Sequence, residues 1–253
     1  MSESLPVVAG AEPFAADGGP VGVLLSHGFT GSPASMTPWA RDLAARGYTV
    51  RVPRLPGHGT TWQQMNRTTW HDWYGALDAE LTELRKGCDR VVVAGLSMGG
   101  CLALRLAEQR PDDVAAVVVV NPAVASRDPR LRLVPVLRWV LPSMPAIGGD
   151  IKKPGVTETA YDRTPLKALH SMTRLWSDVR ADLGAVRAPL LFFRSTDDHV
   201  VDDSSIGIVR GAVGSAVAEY VTLEDSFHVA TLDHDAPLIF ERTAAFLEEH
   251  VGA

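Results

Sequence analysis

An α/β domain built on a mostly parallel sheet, with helices on both faces, is what the sequence predicts, and three observations predict it. Short runs rich in Val, Leu and Ile alternate with segments of helical period. The runs are only a few residues long and sit at Val21–Ser26, Tyr48–Pro53, Val91–Leu96, Val114–Asn121, Leu190–Ser195 and Ala218–Leu223. The composition, 46% hydrophobic and 21% charged over 253 residues, is that of a folded chain long enough for one such domain with an insertion.

The helices announce themselves at their ends. In Ser32–Gly47, Ser32 suits the N-cap, Pro33 the first turn and Gly47 the left-handed stop. Between them Met36, Trp39, Ala40, Leu43 and Ala44 share one face, which should pack on the sheet. Similar signals place helices at about Thr69–Lys86, Met98–Arg110, Asp203–Val213 and Asp235–His250. The rhythm breaks between Val124 and Arg187, where Pro129, Pro135, Pro142, Pro145, Pro154 and Pro165 crowd and no clear strand stands out. Residues 1–123 and 188–253 therefore read as the core domain and 124–187 as an insertion. Its apolar residues Leu133, Val136, Leu137, Val140, Leu141, Met144 and Ile147 suit a pocket cover, a homodimer contact or a lipid surface, or simply pack the insertion onto the core.

Charge and cysteine content exclude several classes. Lys and Arg number 24 against 30 Asp and Glu, a formal net charge of −6 that repels a polyphosphate, so no nucleic-acid partner is expected. Two cysteines, Cys88 and Cys101, make neither a disulfide scaffold nor a zinc site, and they suit a reducing compartment. The first twenty residues hold no basic stretch followed by an apolar run, and the longest apolar run, Val114–Val120, is far short of a bilayer span. The expected location is the cytoplasm. No phosphate-binding glycine loop or metal-ligand cluster stands out, and the chemistry below requires no cofactor and no metal.

That chemistry centres on Gly95-Leu96-Ser97-Met98-Gly99, which joins a strand to a helix. A serine presented from so sharp a turn needs small neighbours two residues to either side, and Gly95 and Gly99 supply them. Its hydroxyl needs a base, and the base an orienting acid. In this architecture they follow in the order acid, then His. Thr196-Asp197-Asp198-His199 follows one strand and Glu224-Asp225-Ser226-Phe227-His228 the next, which makes His228 the candidate base and leaves Asp197 and Asp198 as alternative acids. An acyl-transfer transition state needs two oxyanion donors. His27-Gly28-Phe29-Thr30-Gly31 follows the first clear strand, so the backbone amides of Phe29 and Met98 are the candidates, with the start of the Met98 helix adding its positive end. Cys101 reads as buried filling, and Trp62, Trp70 and Trp73 as core more readily than site.

Taken together, HGFTG, PGHG (Pro56–Gly59), GLSMGG, TDDH and FHVATLDHD resemble the α/β-hydrolase superfamily, and within it the small bacterial carboxylesterases and monoacylglycerol lipases. The resemblance runs from about Val21 to Leu247. It implies an α/β-hydrolase fold with a small cap at 124–187, Ser97 as nucleophile, His228 as base and, from the D-H-V-V pattern, Asp198 as the acid. It also implies that Glu158, before Ala160-Tyr161-Asp162-Arg163-Thr164-Pro165, meets the glycerol hydroxyls of a monoacylglycerol. Ile147 and Phe29 are candidate lining residues for the acyl chain. The expected activity is serine hydrolysis of medium-chain carboxylic esters or monoacylglycerols. A thioesterase or acyltransferase with the same triad, and a hydrolase-like binding protein without turnover, are the alternatives.

Overall fold

The apolar runs become strands because β-branched residues fit a pleated surface covered on both sides. The computed structural model describes residues 6–146 and 149–252. From the N terminus its elements are β1 (Phe14–Ala16), β2 (Val21–Ser26), α1 (Thr37–Ala45), β3 (Thr49–Val52), α2 (Trp62–Met65), α3 (Trp70–Gly87), β4 (Arg90–Leu96) and α4 (Met98–Gln109). There follow β5 (Val114–Val120), α5 (Val134–Leu137), β6 (Ser143–Pro145), β7 (Arg163–Pro165), α6 (Leu166–Asp182), β8 (Leu190–Ser195), α7 (Ser204–Ala212), β9 (Ala218–Leu223) and α8 (Ala236–His250).

Seven strands form one sheet in the order β1-β3-β2-β4-β5-β8-β9. Every pair is parallel except β1 with β3. Alternate residues fall to opposite faces. Leu24, Val93, Val117 and Phe192 join the core beneath α3, α4, α6 and α7. Val23, Val92, Val118 and Phe193 join the core beneath α1 and α8. The chain runs from β2 to β3 on one side and then returns across β2 to β4 on the other. That reversal opens a crevice at the carboxyl ends of β2 and β4, where α/β sheets collect their sites.

Several local features differ from the expectation, the short helices α2 and α5 among them. Pro38 has no N–H to close a helical turn, so Pro33–Ser35 is a separate 3-10 turn and α1 begins only at Thr37, with Met36 as its N-cap. The Ser32 hydroxyl caps nothing and is buried without a partner. The three-residue edge strand β1 is too short to show a period. The proline-rich stretch carries the antiparallel pair β6–β7 and also the 17-residue α6. Ala168, Met172, Leu175, Trp176 and Val179 on α6 recur at helical spacing and enter the same core as α3 and α4.

The turn from β4 to α4 leaves no room for a side chain at either flanking glycine. Ser97 sits there at φ 56° and ψ −117°, a region that side chains rarely enter. A Cβ on Gly95 would strike the backbone of Gly99, and a Cβ on Gly99 would be driven into the carbonyl oxygen of Ser26. Gly99→Ala is accordingly expected to lower the unfolding free energy by about 3 kcal/mol or to prevent folding. Gly75 lies exposed inside α3 with nothing within 4 Å of its Cβ position. Gly75→Ala should raise stability by about 0.5–1 kcal/mol, and urea denaturation of the two variants beside the parent checks both signs.

Candidate active site

Ser97 leaves the carboxyl end of β4 with its peptide groups tied down. Its N–H donates to the Val120 carbonyl at 3.0 Å, and its carbonyl accepts from Cys101 and Ala123, each at 3.1 Å. Loop 27–31, at the end of β2, lies against it: a Cβ on Gly28 would stand 3.5 Å from the Ser97 Cβ. Met98 is buried as the first residue of α4, so the positive end of that helix lies beside the serine.

The loops after β8 and β9 bring Asp198 and His228 together. His228 Nδ1 donates to Asp198 Oδ2 at 2.9 Å, which leaves Nε2 as the nitrogen carrying a lone pair. The other Asp198 oxygen accepts the amides of Val200 and Val201 at 2.9 and 2.8 Å. Burial pushes the Asp198 carboxyl up, but hydrogen bonds from His228, Val201 and Val200 outweigh it and hold the group below the usual carboxylate range. Arg194 Nη1 shares Oδ2 with His228, at 2.7 Å, and balances the buried charge. Asp198, and not its exposed neighbour Asp197, is the residue that meets the histidine. His199 is exposed and pairs with Asp150.

Ser97, His228, Phe29 and Glu158 line one cavity of about 400 Å³, within the usual range for small-molecule sites. Its remaining walls are mainly apolar and include Leu131, Leu137, Met144, Leu169, Met172 and Trp176. Glu158 stands over the 27–31 loop, its Oε1 only 2.8 Å from where a Cβ on Gly31 would lie. Burial pushes its carboxyl above the usual range, against the opposing pull of His228 and the Gly149 amide. Ile147 lies outside the described residues. Cys101 is buried, and burial raises its thiol well above the ordinary value. Trp70 and Trp73 belong to the core, with Trp73 edge-on to Phe29 at 6.0 Å.

Two contributors carry no local signal in the sequence. Arg194 reads as an ordinary strand residue. Asn121 ends the apolar run of β5 at φ 44°, fully buried, and its Nδ2 donates to the carbonyl of His228 at 2.8 Å. A polar residue closing an unbroken valine run is the one hint, and it names no partner.

The floor beneath loop 27–31 is a pair of buried histidines. His27 Nδ1 donates to the Gly28 carbonyl at 3.0 Å, and Nε2 accepts the Leu55 amide at 3.2 Å, so the neutral ring uses both nitrogens. Burial is the main cause that drives the His27 pKa down to about 4. His58 packs edge-on against it at 4.9 Å and is lowered well below its ordinary value, chiefly by burial. Between about pH 4 and the ordinary imidazole value of 6.5 the unfolded chain binds a proton that folded His27 refuses. His27 therefore contributes stability that is present above about pH 6.5 and is lost as pH falls toward 4, about 3 kcal/mol in all. Urea denaturation at pH 7.5, 5.5 and 4.5 should show His27→Gln losing less stability with falling pH than the parent.

Comparison with known proteins identifies the family. The family model described as Serine aminopeptidase, S33 matches residues 21–235. A thermostable monoacylglycerol lipase of Bacillus sp. (strain H-257) is 45% identical over the whole of both chains. A carboxylesterase of Bacillus subtilis (strain 168) is 27% identical over 94% of this chain and 96% of its own. A solved metagenome-derived lipolytic enzyme superposes with a TM-score of 0.94 at 40% identity, covering 97% of this chain and 100% of its own. The Paleococcus ferrophilus monoacylglycerol lipase, at 19% identity and a TM-score of 0.78 over 94% of this chain and 99% of its own, shares the fold. The chain belongs to the serine aminopeptidase S33 family, with the α/β-hydrolase fold, and is a serine hydrolase of carboxylic esters.

Proposed function

We propose that the chain hydrolyses monoacylglycerols and similar single-chain esters at Ser97 through an acyl-enzyme, with His228 as base, Asp198 as its orienting acid and residues 124–187 as the cap. The observation that carries the substrate is Glu158: a buried carboxylate beside loop 27–31, in a mainly apolar cavity that it shares with Ser97 and His228 and that Asp128 and Asp150 also line. A carboxyl group there accepts hydrogen bonds from the two free hydroxyls of a monoacylglycerol, while the apolar walls take the single acyl chain. The likeness to a relative named a monoacylglycerol lipase supports the reading.

In the first half-reaction the Ser97 oxygen adds to the ester carbonyl carbon while His228 Nε2 takes its proton. Asp198 holds the Nδ1–H in place and balances the imidazolium. The amides of Phe29 and Met98 are the proposed donors to the oxyanion. Collapse breaks the bond to the alcohol oxygen, which leaves with the proton from His228. Water then adds to the acyl carbon, its proton passing to His228 and on to Ser97 as the acid departs.

Hydrolysis of 1-monoacylglycerol, triacylglycerol, a p-nitrophenyl ester, an acyl thioester and leucine p-nitroanilide tests the reading. Monoacylglycerol should be the best substrate. Ser97→Ala should lose at least about 10⁴-fold in kcat, and Asp198→Asn should lose about 10⁴-fold while Asp197→Asn stays near the parent. Glu158→Ala should cost about 10- to 100-fold in kcat/KM on monoacylglycerol and much less on the p-nitrophenyl ester. Preference for the thioester would make the enzyme a thioesterase, and preference for the anilide an aminopeptidase in which Glu158 binds the α-ammonium.

The cap carries a second proposed contact. Trp139 and Val140 are 71% and 72% exposed, with Val136 and Leu141 beside them, while Leu133, Val134 and Leu137 line the cavity. The Arg138 guanidinium and the Lys167 ammonium lie 4.8 and 5.6 Å from the Trp139 ring centre. Exposed apolar residues with an interfacial tryptophan and flanking cations suit an anionic lipid surface. Among the described residues no helix is long and apolar enough to cross a membrane, and the two free, buried cysteines fit the cytoplasm as the proposed compartment. Co-sedimentation with vesicles containing phosphatidylglycerol should exceed that with phosphatidylcholine alone and fall in Trp139→Ala and Lys167→Glu. A concentration-dependent dimer abolished by Val140→Asp, without vesicle binding, would assign the patch to a second copy instead.

A further inference from the structure

The peptide groups flanking His228 are held by side chains from two distant parts of the chain. Below, Asn121 Nδ2 donates to the His228 carbonyl at 2.8 Å. Asn121 is itself fixed, its Nδ2 also donating to the Ser195 hydroxyl and its Oδ1 accepting the Ser195 amide, each at 2.9 Å. Above, Asp150 reaches down from the segment before Glu158. Its Oδ2 accepts the His228 amide at 3.1 Å and the His199 amide at 3.2 Å, and its Oδ1 accepts from His199 Nδ1 at 2.8 Å. His199 directly follows Asp198. One carboxylate therefore holds the main chain of the base and the main chain next to the acid.

The same segment is tied a second time. Asp233, almost fully buried, accepts the amides of Lys152 and Lys153 at 2.7 and 2.9 Å and that of Phe227 at 2.9 Å. The Asp150 carbonyl accepts the Val229 amide at 3.1 Å. The stretch 150–153 and the stretch 227–229 thus form one hydrogen-bonded unit.

We propose that Asp150 is a positioning residue for ester hydrolysis, setting the His228 imidazole against Asp198 by gripping the backbones of both loops with a single carboxylate. The proposal rests on the reading of Ser97, His228 and Asp198 as the triad. An imidazole moves with its main chain, and a displacement of about 1 Å in a reacting group can cost about 100-fold in rate. Without the Asp150 carboxylate the His228 amide loses its partner, and the 198–199 and 227–229 loops lose the one side-chain acceptor they share.

The test uses p-nitrophenyl acetate, whose small acyl group makes little demand on the cap. Asp150→Ala should lower kcat about 10- to 100-fold with KM within about 2-fold of the parent. The rate of inactivation by a fluorophosphonate, which needs the same base, should fall in proportion. Asp150→Asn, isosteric and still an acceptor through its amide oxygen, should recover a large part of the loss, and it remains informative if the alanine variant does not fold. Lys152→Ala removes an ion pair of 2.9 Å to Asp225 between the same two segments without touching the His228 peptide, and should keep the parental kcat. Parental kcat in Asp150→Ala, an effect on KM alone, or an asparagine variant no better than alanine overturns the proposal. Turnover or labelling retained in Ser97→Ala, measured alongside, overturns the triad reading instead.

Discussion

Everything at the carboxyl edge of the sheet is arranged around the backbone reversal at Ser97. To present a hydroxyl there the chain enters a conformation costing about 1–3 kcal/mol, and it does so between two elements packed into the core. β4 is sandwiched between both cores, and α4 packs against β4 and β5. The reversal also forces α4 so close to β2 that Gly99 touches the Ser26 carbonyl. That contact carries loop 27–31 up to the serine, so the strained turn and the proposed oxyanion loop are consequences of one close approach. The positive end of α4 arrives at the same point by the same geometry.

Loops crowded at a sheet edge leave polar groups out of reach of water, and here side chains of opposite charge behaviour satisfy them. His27 is kept neutral chiefly by burial, and its two ring nitrogens serve one carbonyl and one amide. Asp198 is kept charged because two amides, an imidazole and a guanidinium converge on it. Asn121, with no charge to lose, joins Ser195 to the carbonyl of His228. A buried amide network of this kind carries no ionisable group, which suits a scaffold beneath the proposed base.

What could be read from the sequence is what short-range physics determines. The short apolar runs of the strands, the glycines flanking Ser97 and the left-handed Gly47 after α1 are all demands made within a few residues. The choice between Asp197 and Asp198 is not local, because adjacent loop residues point apart and only the fold decides which meets His228. The family resemblance selected Asp198, and the 2.9 Å contact is to that residue. Pro38 explains why Ser32 fails as a cap. α6 was hidden behind a run of prolines that ends at Pro165, its own N-cap. Asn121 and Asp150 lie 107 and 78 residues from the histidine they hold, and nothing near either in the chain marks that role.

These long-range ties divide the proposed cap into two regions with different physical demands. Between Asp150 and Tyr161 it forms a bridge anchored at both ends. One end grips the loops of His228 and Asp198. At the other end the Tyr161 amide donates to the Thr30 carbonyl at 3.1 Å, and its hydroxyl donates to the Gly57 carbonyl at 2.7 Å while accepting the Thr60 amide at 2.9 Å. Glu158 hangs from this bridge, so its distance to Ser97 is set by the same bonds that set the base and loop 27–31. The apolar tip around Val136–Leu141 lies outside the bridge, where its exposed residues can exchange water for another apolar surface without disturbing the anchors. On the proposed reading, selectivity for the alcohol and alignment of the base are coupled through one stretch of backbone, while the proposed lipid contact is left to the exposed residues of the tip.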